Sequence, residues 1–356
     1  MNLRNHWPRI CFKNPHNWSQ EILLFFNRIT PTPPTPPASP ASPASPASPA
    51  SKNPHLPILK VGLSLLLLGG VTALPVAAQS PAQSLPALKP TQPAALEQLN
   101  QGLALIQQGK LTEAIAAFRK ASELNPQLAS AHYNLGLALR QAGELQAAAD
   151  AFYQATQTDP NFALAFANLG AALLEGSNLP QARDYLARAL ELDPNLGVAH
   201  YNLGLVLSQS GELEQAIDHF KSAIQLSRNA PEPAYHLGLI YLQQGEIEEA
   251  KKALQQAIKI NPQYPEAHYS LGSILLDRGD LDGALEAFRQ AAVANSNYAN
   301  AYYGAGLVFL RQNQLSDAQQ VLQYAKDLYN LQGNPQWAQR AEALLEQTQN
   351  ASSQSP

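Results

Sequence analysis

Asparagine and tyrosine recur at a fixed spacing in this chain, and together they offer the groups that bind a peptide backbone. Asparagine stands at one position of a 34-residue register four times, and tyrosine directly precedes that position five times. An amide side chain carries donors and an acceptor, so an asparagine ladder can hydrogen-bond to the N–H and C=O groups of an extended segment. Tyrosine adds amphipathic contact area at low entropic cost. The predicted ligand-binding residues are Asn100, Tyr133, Asn134, Asn168, Tyr201, Asn202, Tyr235, His236, Tyr269 and Tyr303.

Three histidines, His132, His200 and His268, share another register position but occupy only every second unit. This spacing separates them by about 20 Å, too far for one metal ion whose ligands lie at about 2 Å. We therefore predict that they pack between helices. Acidic residues such as Glu248 and Asp280 lie near predicted helix starts, where they suit the helix dipole. The sequence contains no glycine-rich phosphate loop and no nucleophile elbow, so we predict no catalytic residue, no metal and no cofactor, and hence no enzyme.

A 34-residue repeat provides the elements that must position these side chains. It runs seven times from Ala95 to Gln332 without an insertion or deletion. Periodicity this strict indicates a stacked array. Each unit holds one glycine and two alanines at fixed places, because neighbouring helices must approach closely. The glycines are Gly102, Gly136, Gly170, Gly204, Gly238, Gly272 and Gly306, and the first alanines are Ala114, Ala148, Ala182, Ala216, Ala250, Ala284 and Ala318.

Each unit is predicted to form two helices, for example one over Ser130–Gly143 and one over Leu145–Thr158. The turn between them carries glycine in most units, and proline often ends the second helix. In a stack of helix pairs the first helices line the concave side, so the asparagines and tyrosines face a groove. After the last unit, apolar residues at helical spacing predict a capping helix over 333–350, followed by a disordered tail at 351–356.

The composition of the N-terminal part differs from that of the repeats. Residues 1–57 are basic and then rich in Pro, Ala and Ser, which predicts a disordered extension. The segment 58–78 is apolar and uncharged after Lys60, with small residues before a possible cleavage site between Ala78 and Gln79. It is predicted to be a signal peptide or, if uncleaved, a membrane anchor, and 79–94 is a linker. The long lead-in leaves open a later translation start or a two-stage targeting sequence.

The charge of the repeats bears on the kind of partner, and the cysteine content bears on the compartment. Residues 61–356 carry 17 basic and 26 acidic side chains, because 6 of the 23 basic residues and 1 of the 27 acidic residues lie in 1–60. Because the repeats contain no basic patch, we predict no nucleic-acid partner. The only cysteine, Cys11, precedes the possible cleavage site. The repeats therefore contain no thiol, which is compatible with an oxidising compartment but does not require one. The signal-like segment predicts export to a periplasm or lumen, or anchoring in a membrane with the repeats outside the cytoplasm.

The pattern of glycine, paired alanines, interhelical leucines and phenylalanines, and closing prolines resembles the tetratricopeptide repeat. The resemblance covers about two-thirds of the chain and implies an all-α solenoid of antiparallel helix pairs that forms a right-handed superhelix. In this family, asparagine ladders hold extended peptides, which favours the same role for Asn100 and its equivalents. The carboxylate-gripping mode of the family is disfavoured, because Tyr133 and Leu137 stand where a basic residue is needed.

These sequence observations predict that the protein is a scaffold, which binds a peptide segment or helix of a protein partner in its groove. Three alternatives remain: an assembly or maturation factor for an envelope or photosynthetic membrane complex, a regulatory subunit of a separate enzyme, and a groove in which asparagine and tyrosine are merely solvated. Membrane association would come through 58–78. The sequence does not decide the oligomeric state, and self-association through the end helices is compatible with it.

Overall fold

The computed structural model describes residues 91–353, which form fifteen α-helices and no strand. The predicted all-α fold of helix pairs is confirmed in this range. The predicted segments 1–57 and 58–78, most of the linker 79–94 and the end of the tail lie outside the described residues. The helices are α1 Thr91–Gln107, α2 Leu111–Leu124, α3 Ala129–Gln141, α4 Leu145–Thr158, α5 Ala163–Glu175, α6 Leu179–Leu192, α7 Gly197–Gln209, α8 Leu213–Leu226, α9 Glu232–Gln244, α10 Ile247–Ile260, α11 Pro265–Asp277, α12 Leu281–Ala294, α13 Ala299–Arg311, α14 Leu315–Leu331 and α15 Pro335–Ser353.

The helices fall into two compact units, which we call the N-terminal unit (α1–α8) and the C-terminal unit (α9–α15). Within each unit a helix packs mainly against its partner in the pair and then against the next pair. The second helices are amphipathic and bury alanine and a large apolar residue on one face. None of the helices in 91–353 combines the length and the apolar character needed to cross a bilayer.

The core of the N-terminal unit is built where a glycine of the first helix meets a phenylalanine of the second. A Cβ placed on Gly136 would lie 2.7 Å from the ring of Phe152, which is fully buried. Ala148 and Ala155 are also fully buried on either side of this ring. The small residues therefore recur because backbone and ring approach more closely than any larger side chain permits.

The C-terminal unit uses the same contact and ends on α15. This last helix begins at Pro335 and continues to Ser353, three residues beyond the predicted 350. It buries Ala338, Ala341 and Leu345, and Trp337 packs against the core of the unit. Because α14 would otherwise expose an apolar face at the end of the stack, α15 acts as the terminal cap that an array requires.

The turn between the helices of a pair needs one residue in the left-handed region. Gly143 adopts this conformation with φ of 81°. In the third repeat Gly176 has a φ of −78°, and the left-handed residue is Ser177 at 61°. The shift of glycine by one place in the sequence therefore does not move the turn, which keeps the 34-residue register. Ser177 instead bears the steric cost that glycine avoids elsewhere.

We expect the substitution Ser177→Gly to stabilise the protein by about 1 kcal/mol, because it removes the left-handed strain of a residue with a Cβ. The measurement is the free energy of unfolding from urea denaturation. Asn313→Gly is the matched control. Asn313 has a φ of 57°, and asparagine tolerates this region better, so the gain there should be smaller. A destabilised Ser177→Gly protein would show that Ser177 is held by interactions worth more than its strain.

Candidate ligand-binding site

The N-terminal unit brings two of its predicted site residues, Tyr133 and Asn168, into direct contact. Asn168 on α5 donates from Nδ2 to the Tyr133 hydroxyl on α3 at 3.2 Å. The Tyr133 ring rests on Phe162, from the loop before α5, with ring centroids 4.8 Å apart, and also contacts Phe152. Burial raises the pKa of Tyr133, so its hydroxyl stays protonated at neutral pH. The tyrosine is thereby fixed in orientation, with part of its surface exposed.

The asparagine amides use their N–H groups on their own helices. Nδ2 of Asn134 donates to the carbonyl of Ser130 at 2.7 Å, and Nδ2 of Asn168 donates to the carbonyl of Leu164 at 2.9 Å. Because a backbone carbonyl only accepts, these contacts fix which amide atom is nitrogen. With Tyr133 as its second acceptor, Asn168 has both N–H groups engaged and offers Oδ1 as an acceptor. A bound segment would therefore donate its N–H to Asn168.

The other predicted site residues of this unit differ in exposure. Asn100 on α1 is exposed, whereas Asn202 on α7 is only 8% exposed. Tyr201 is half-buried and packs against Phe220 with ring centroids 6.0 Å apart. Tyr133 contacts the asparagine of the next repeat, but Asn202 has no such tyrosine. The repeat before Asn202 carries Ala167 at the position equivalent to Tyr133. The ladder is thus regular in backbone position but not in side-chain environment.

Sequence reasoning missed a set of exposed apolar side chains on the same first helices. Leu137 lies one turn after Tyr133, and Leu164 lies one turn before Asn168, so each shares a helix face with a ladder residue. The sequence signal that could have revealed them is the spacing of four residues between Tyr133 and Leu137 and between Leu164 and Asn168. The exposed apolar residues of these helices are Leu96, Leu103, Ile106, Leu137, Leu164 and Val198, each 36–41% exposed. All of them belong to the N-terminal unit.

The first helices of this unit carry three charged side chains, Glu97, Arg140 and Glu175, and the last two form an ion pair. Arg140 at the end of α3 donates from Nε and from Nη2 to the carboxylate of Glu175 at the end of α5, with the Nε bond at 2.9 Å. The pair bridges two first helices and leaves no uncompensated cation there. The face of the N-terminal unit therefore combines apolar contact area with amide oxygens and carries almost no net charge.

In the C-terminal unit each predicted tyrosine contacts at least one other aromatic ring. Tyr235 meets Tyr264 at 5.3 Å between ring centroids, and Tyr269 meets Tyr298 at 5.9 Å. Both partners stand just before the next first helix, 29 residues after the groove tyrosine, as Phe162 stands after Tyr133. The third groove tyrosine, Tyr303, packs against Trp337 and Tyr329 of the end of the unit. An aromatic residue just before the next first helix thus supports Tyr235 and Tyr269, a spacing that sequence reasoning did not use.

Burial sets the protonation states on this face. It raises the pKa of Tyr235 to about 12, and a hydrogen bond with the side chain of Ser270 partly offsets this by lowering the pKa. Burial also raises the pKa of Tyr298 and lowers the pKa of His236 to about 4. The tyrosines are therefore neutral hydrogen-bonding groups at neutral pH, and His236 is an uncharged imidazole.

The three repeated histidines bind the backbone of the loops between repeats. Nε2 of His132, His200 and His268 donates to the carbonyls of Pro126, Pro194 and Pro262 at 3.0, 3.0 and 2.9 Å. The Tyr302 hydroxyl makes the same bond to Ser296 at 3.1 Å. These rings tie α3, α7, α11 and α13 each to the loop that precedes it. The sequence predicted packing between helices and did not predict these loop contacts. Within residues 91–353, no three histidine, cysteine or acidic side chains converge as metal ligands would.

Sequence profiles described as tetratricopeptide repeat match residues 129–162, 161–229, 195–263, 235–299 and 275–332, and one described as TPR repeat matches 102–143. Helix pairs of this length, joined by a left-handed turn residue and packed through glycine and alanine, define a helical-repeat scaffold. The chain belongs to the tetratricopeptide repeat family. The fold is that of a protein-interaction scaffold, and proteins of this family bind protein or peptide partners.

Two solved structures with TM-scores above 0.5 share this fold, and a third is similar in sequence. Pseudomonas aeruginosa pilF is 24% identical over 60% of this chain and 97% of its own, with a TM-score of 0.53. A tetratricopeptide repeat protein from Parabacteroides merdae ATCC 43184 is 18% identical over 72% of this chain and 99% of its own, also with a TM-score of 0.53. YrrB, described as a TPR protein with an unusual peptide-binding site, is 27% identical over 55% of this chain and 99% of its own, with a TM-score of 0.44. No curated protein matches the chain.

Proposed function

We propose that this protein is a non-enzymatic scaffold that holds a peptide segment or helix of a partner protein against its first helices. The observation that carries the proposal is the face of the N-terminal unit. There, exposed apolar side chains such as Leu137 and Leu164 stand one helical turn from the amides of Asn134 and Asn168. Exposed apolar area of this kind, placed beside fixed hydrogen-bonding groups, supports partner binding.

The two kinds of group on this face have different roles in the proposed complex. The leucines and Val198 supply contact area, whose burial by a partner is favourable at about 25 cal/mol per Å². The free Oδ1 atoms accept N–H groups of the bound backbone and so favour one register of an extended segment. Tyr133, held by Phe162 and Asn168, adds a rigid contact that loses little entropy on binding.

We further propose that the protein acts outside the cytoplasm, either exported or anchored through 58–78. The support is sequence alone: an apolar run of signal-peptide character after a basic lead-in. Cell fractionation and intact mass of the natively expressed protein test this part. A mature N-terminus at Gln79 in the soluble envelope fraction supports cleavage, and a full-length chain in the membrane fraction supports an anchor. A full-length chain in the cytosol would contradict export.

The groove proposal predicts the effect of a triple substitution, Asn134→Ala, Asn168→Ala and Asn202→Ala. Binding should weaken by at least about tenfold, because about 1 kcal/mol is lost for each hydrogen bond. Helical content should stay unchanged, since alanine is the better helix former. A photoreactive residue at Leu137 first captures the partner in cells, and a matched one at Gln157, exposed on α4, shows the background. Affinity for the captured partner is then measured on the purified proteins.

The matched control for this triple is Gln154→Ala, Gln157→Ala and Gln225→Ala. These residues are exposed on the second helices α4 and α8, away from the proposed binding face. The control should bind as tightly as the wild type. Crosslinks of equal yield from Leu137 and Gln157, or equal affinities of the two triple variants, would contradict binding through the first helices.

A further inference from the structure

The C-terminal unit contains a carboxylate that lacks the partners a buried charge normally has. Glu266 lies in the first turn of α11 and is half-buried. Its Oε2 atom is shut off from solvent and has no hydrogen-bond partner among the described residues. No lysine, arginine or histidine of residues 91–353 forms an ion pair with it. An arrangement of this kind costs stability, because burial removes water from Oε2 and no hydrogen bond replaces it there.

Two tyrosines flank this carboxylate along the chain, one just before α11 and one on it. Tyr264 is separated from it only by Pro265, and the ring of Tyr264 meets that of Tyr235 edge-on at 5.3 Å. From the next repeat, Tyr298 meets Tyr269 edge-on at 5.9 Å. Tyr235 and Tyr298 both feel the charge of Glu266, which helps to raise their pKa. Tyr264, Tyr269 and Tyr298 are only half-buried, so the cluster reaches the surface of the unit.

The charges on the first helices around the cluster have the same sign as Glu266. Glu232 occupies the equivalent position one repeat earlier, and Asp277 ends α11; both are exposed. The only cation within these helices is Arg311, whose guanidinium donates to the backbone carbonyl of Leu276. The face is therefore acidic where the corresponding face of the N-terminal unit is nearly neutral.

We propose that Glu266 and the tyrosines Tyr235, Tyr264, Tyr269 and Tyr298 form a site for a cationic side chain, lysine or arginine, of the bound partner segment. This assignment rests on the proposed function and specifies the chemistry of one subsite. An ammonium or guanidinium group is attracted both by a carboxylate and by the faces of aromatic rings, and the attraction strengthens as water is excluded. The terminal torsion of a glutamate is soft, so Oε2 turns toward an incoming cation at little cost.

The test uses the full chain and two matched probes. These are the acetylated and amidated pentapeptides Ala-Ala-Lys-Ala-Ala and its analogue with norleucine at the centre, which has the same apolar stem without the charge. Dissociation constants come from ligand-observed NMR titration at low, constant salt. The lysine peptide should bind at least about tenfold more tightly than the norleucine peptide, as a charge-assisted contact of this strength implies.

Two substitutions identify the carboxylate responsible. Glu266→Gln keeps the shape of the side chain and should reduce the preference for lysine to within about twofold. It should melt no lower than the wild type, because it removes an unpaired charge. Glu232→Gln removes an exposed charge at the same register position and should leave the preference at about tenfold.

Equal affinities of the two peptides for the wild type, or no binding of the lysine peptide at concentrations up to about 20 mM, would overturn the site. So would a lysine preference that survives Glu266→Gln, or one lost equally in Glu232→Gln, since the general acidity of the face would then be its cause. These outcomes leave the scaffold proposal intact, because the asparagine variants and crosslinks in the N-terminal unit test it separately.

Discussion

Replacing Phe288 by alanine should destabilise the C-terminal unit by about 3–5 kcal/mol. The Phe288 ring is 1% exposed and lies between two first helices. A Cβ on Gly272 of α11 would come within 2.8 Å of it, and one on Gly304 of α13 within 2.6 Å. Tyr269 covers a further side, with ring centroids 5.6 Å apart. Because backbone rather than flexible side chains lines much of this volume, the site cannot collapse around alanine, and the cavity remains.

The matched control is Phe288→Leu. Leucine fills the equivalent position at Leu186, Leu254 and Leu322, each against a glycine of its own first helix. The cost should therefore be only about 1 kcal/mol. Urea unfolding is followed by the fluorescence of Trp337, the only tryptophan after residue 90, which packs against Tyr303 and Tyr329 in the same unit. A loss below 1 kcal/mol for the alanine variant would mean that the helices close over the missing ring.

Acidification from pH 7 to pH 4 should weaken the C-terminal unit through His236. Burial lowers the pKa of His236 to about 4 in the folded protein, while the unfolded value is about 6.5. The unfolded chain therefore binds more protons in this interval, so stability is fully present above about pH 6.5 and is lost as the pH falls toward 4. A difference of about 2.5 pKa units corresponds to at most about 3 kcal/mol.

The control for this effect is His236→Asn, because asparagine occupies the same register position at Asn100, Asn134, Asn168 and Asn202. Comparing the two proteins at pH 7 and pH 4.5 cancels the titration of carboxylates that they share. The stability gap should shift in favour of the asparagine variant at the lower pH. NMR titration of the His236 ring gives its pKa directly. An unchanged gap, together with an ordinary histidine pKa, would contradict the prediction.

A second histidine adds to the same trend in the N-terminal unit. His219 on α8 contacts His200 on α7, with the two Nδ1 atoms 2.9 Å apart. Because Nε2 of His200 donates to Pro194, Nδ1 of His200 accepts, and His219 must donate. Burial and the neighbouring ring lower the pKa of His219, although Asp218 opposes this. Each unit therefore contains one histidine whose pKa is lowered, His219 in the N-terminal unit and His236 in the C-terminal unit, and the comparison with His236→Asn is needed to separate their effects.

The repeat pattern alone was enough to predict the helix pairs. Leu145–Thr158 is a helix with the predicted bounds, and the glycine at Gly136 meets the ring of Phe152 as close packing requires. Such features are local or recur in every repeat, so the sequence contains seven independent examples of each. The all-α fold followed from the same periodicity, and the resemblance of the repeated positions to the tetratricopeptide repeat predicted the family. Predictions on 1–78 rest on composition and stay predictions.

Side-chain contacts between repeats were decided only by the tertiary structure. The engagement of Asn168 with Tyr133 and the lack of a partner for Oε2 of Glu266 each depend on what lies opposite in space. A residue in the loop, such as Phe162 or Tyr298, cannot be matched to a groove tyrosine until the stacking of helices is known. The sequence by itself determined that each repeat forms two helices and which positions let them approach closely, because these depend on backbone geometry and residue size. The structure decided which polar groups remain available to a ligand, because that depends on partners brought together from different repeats.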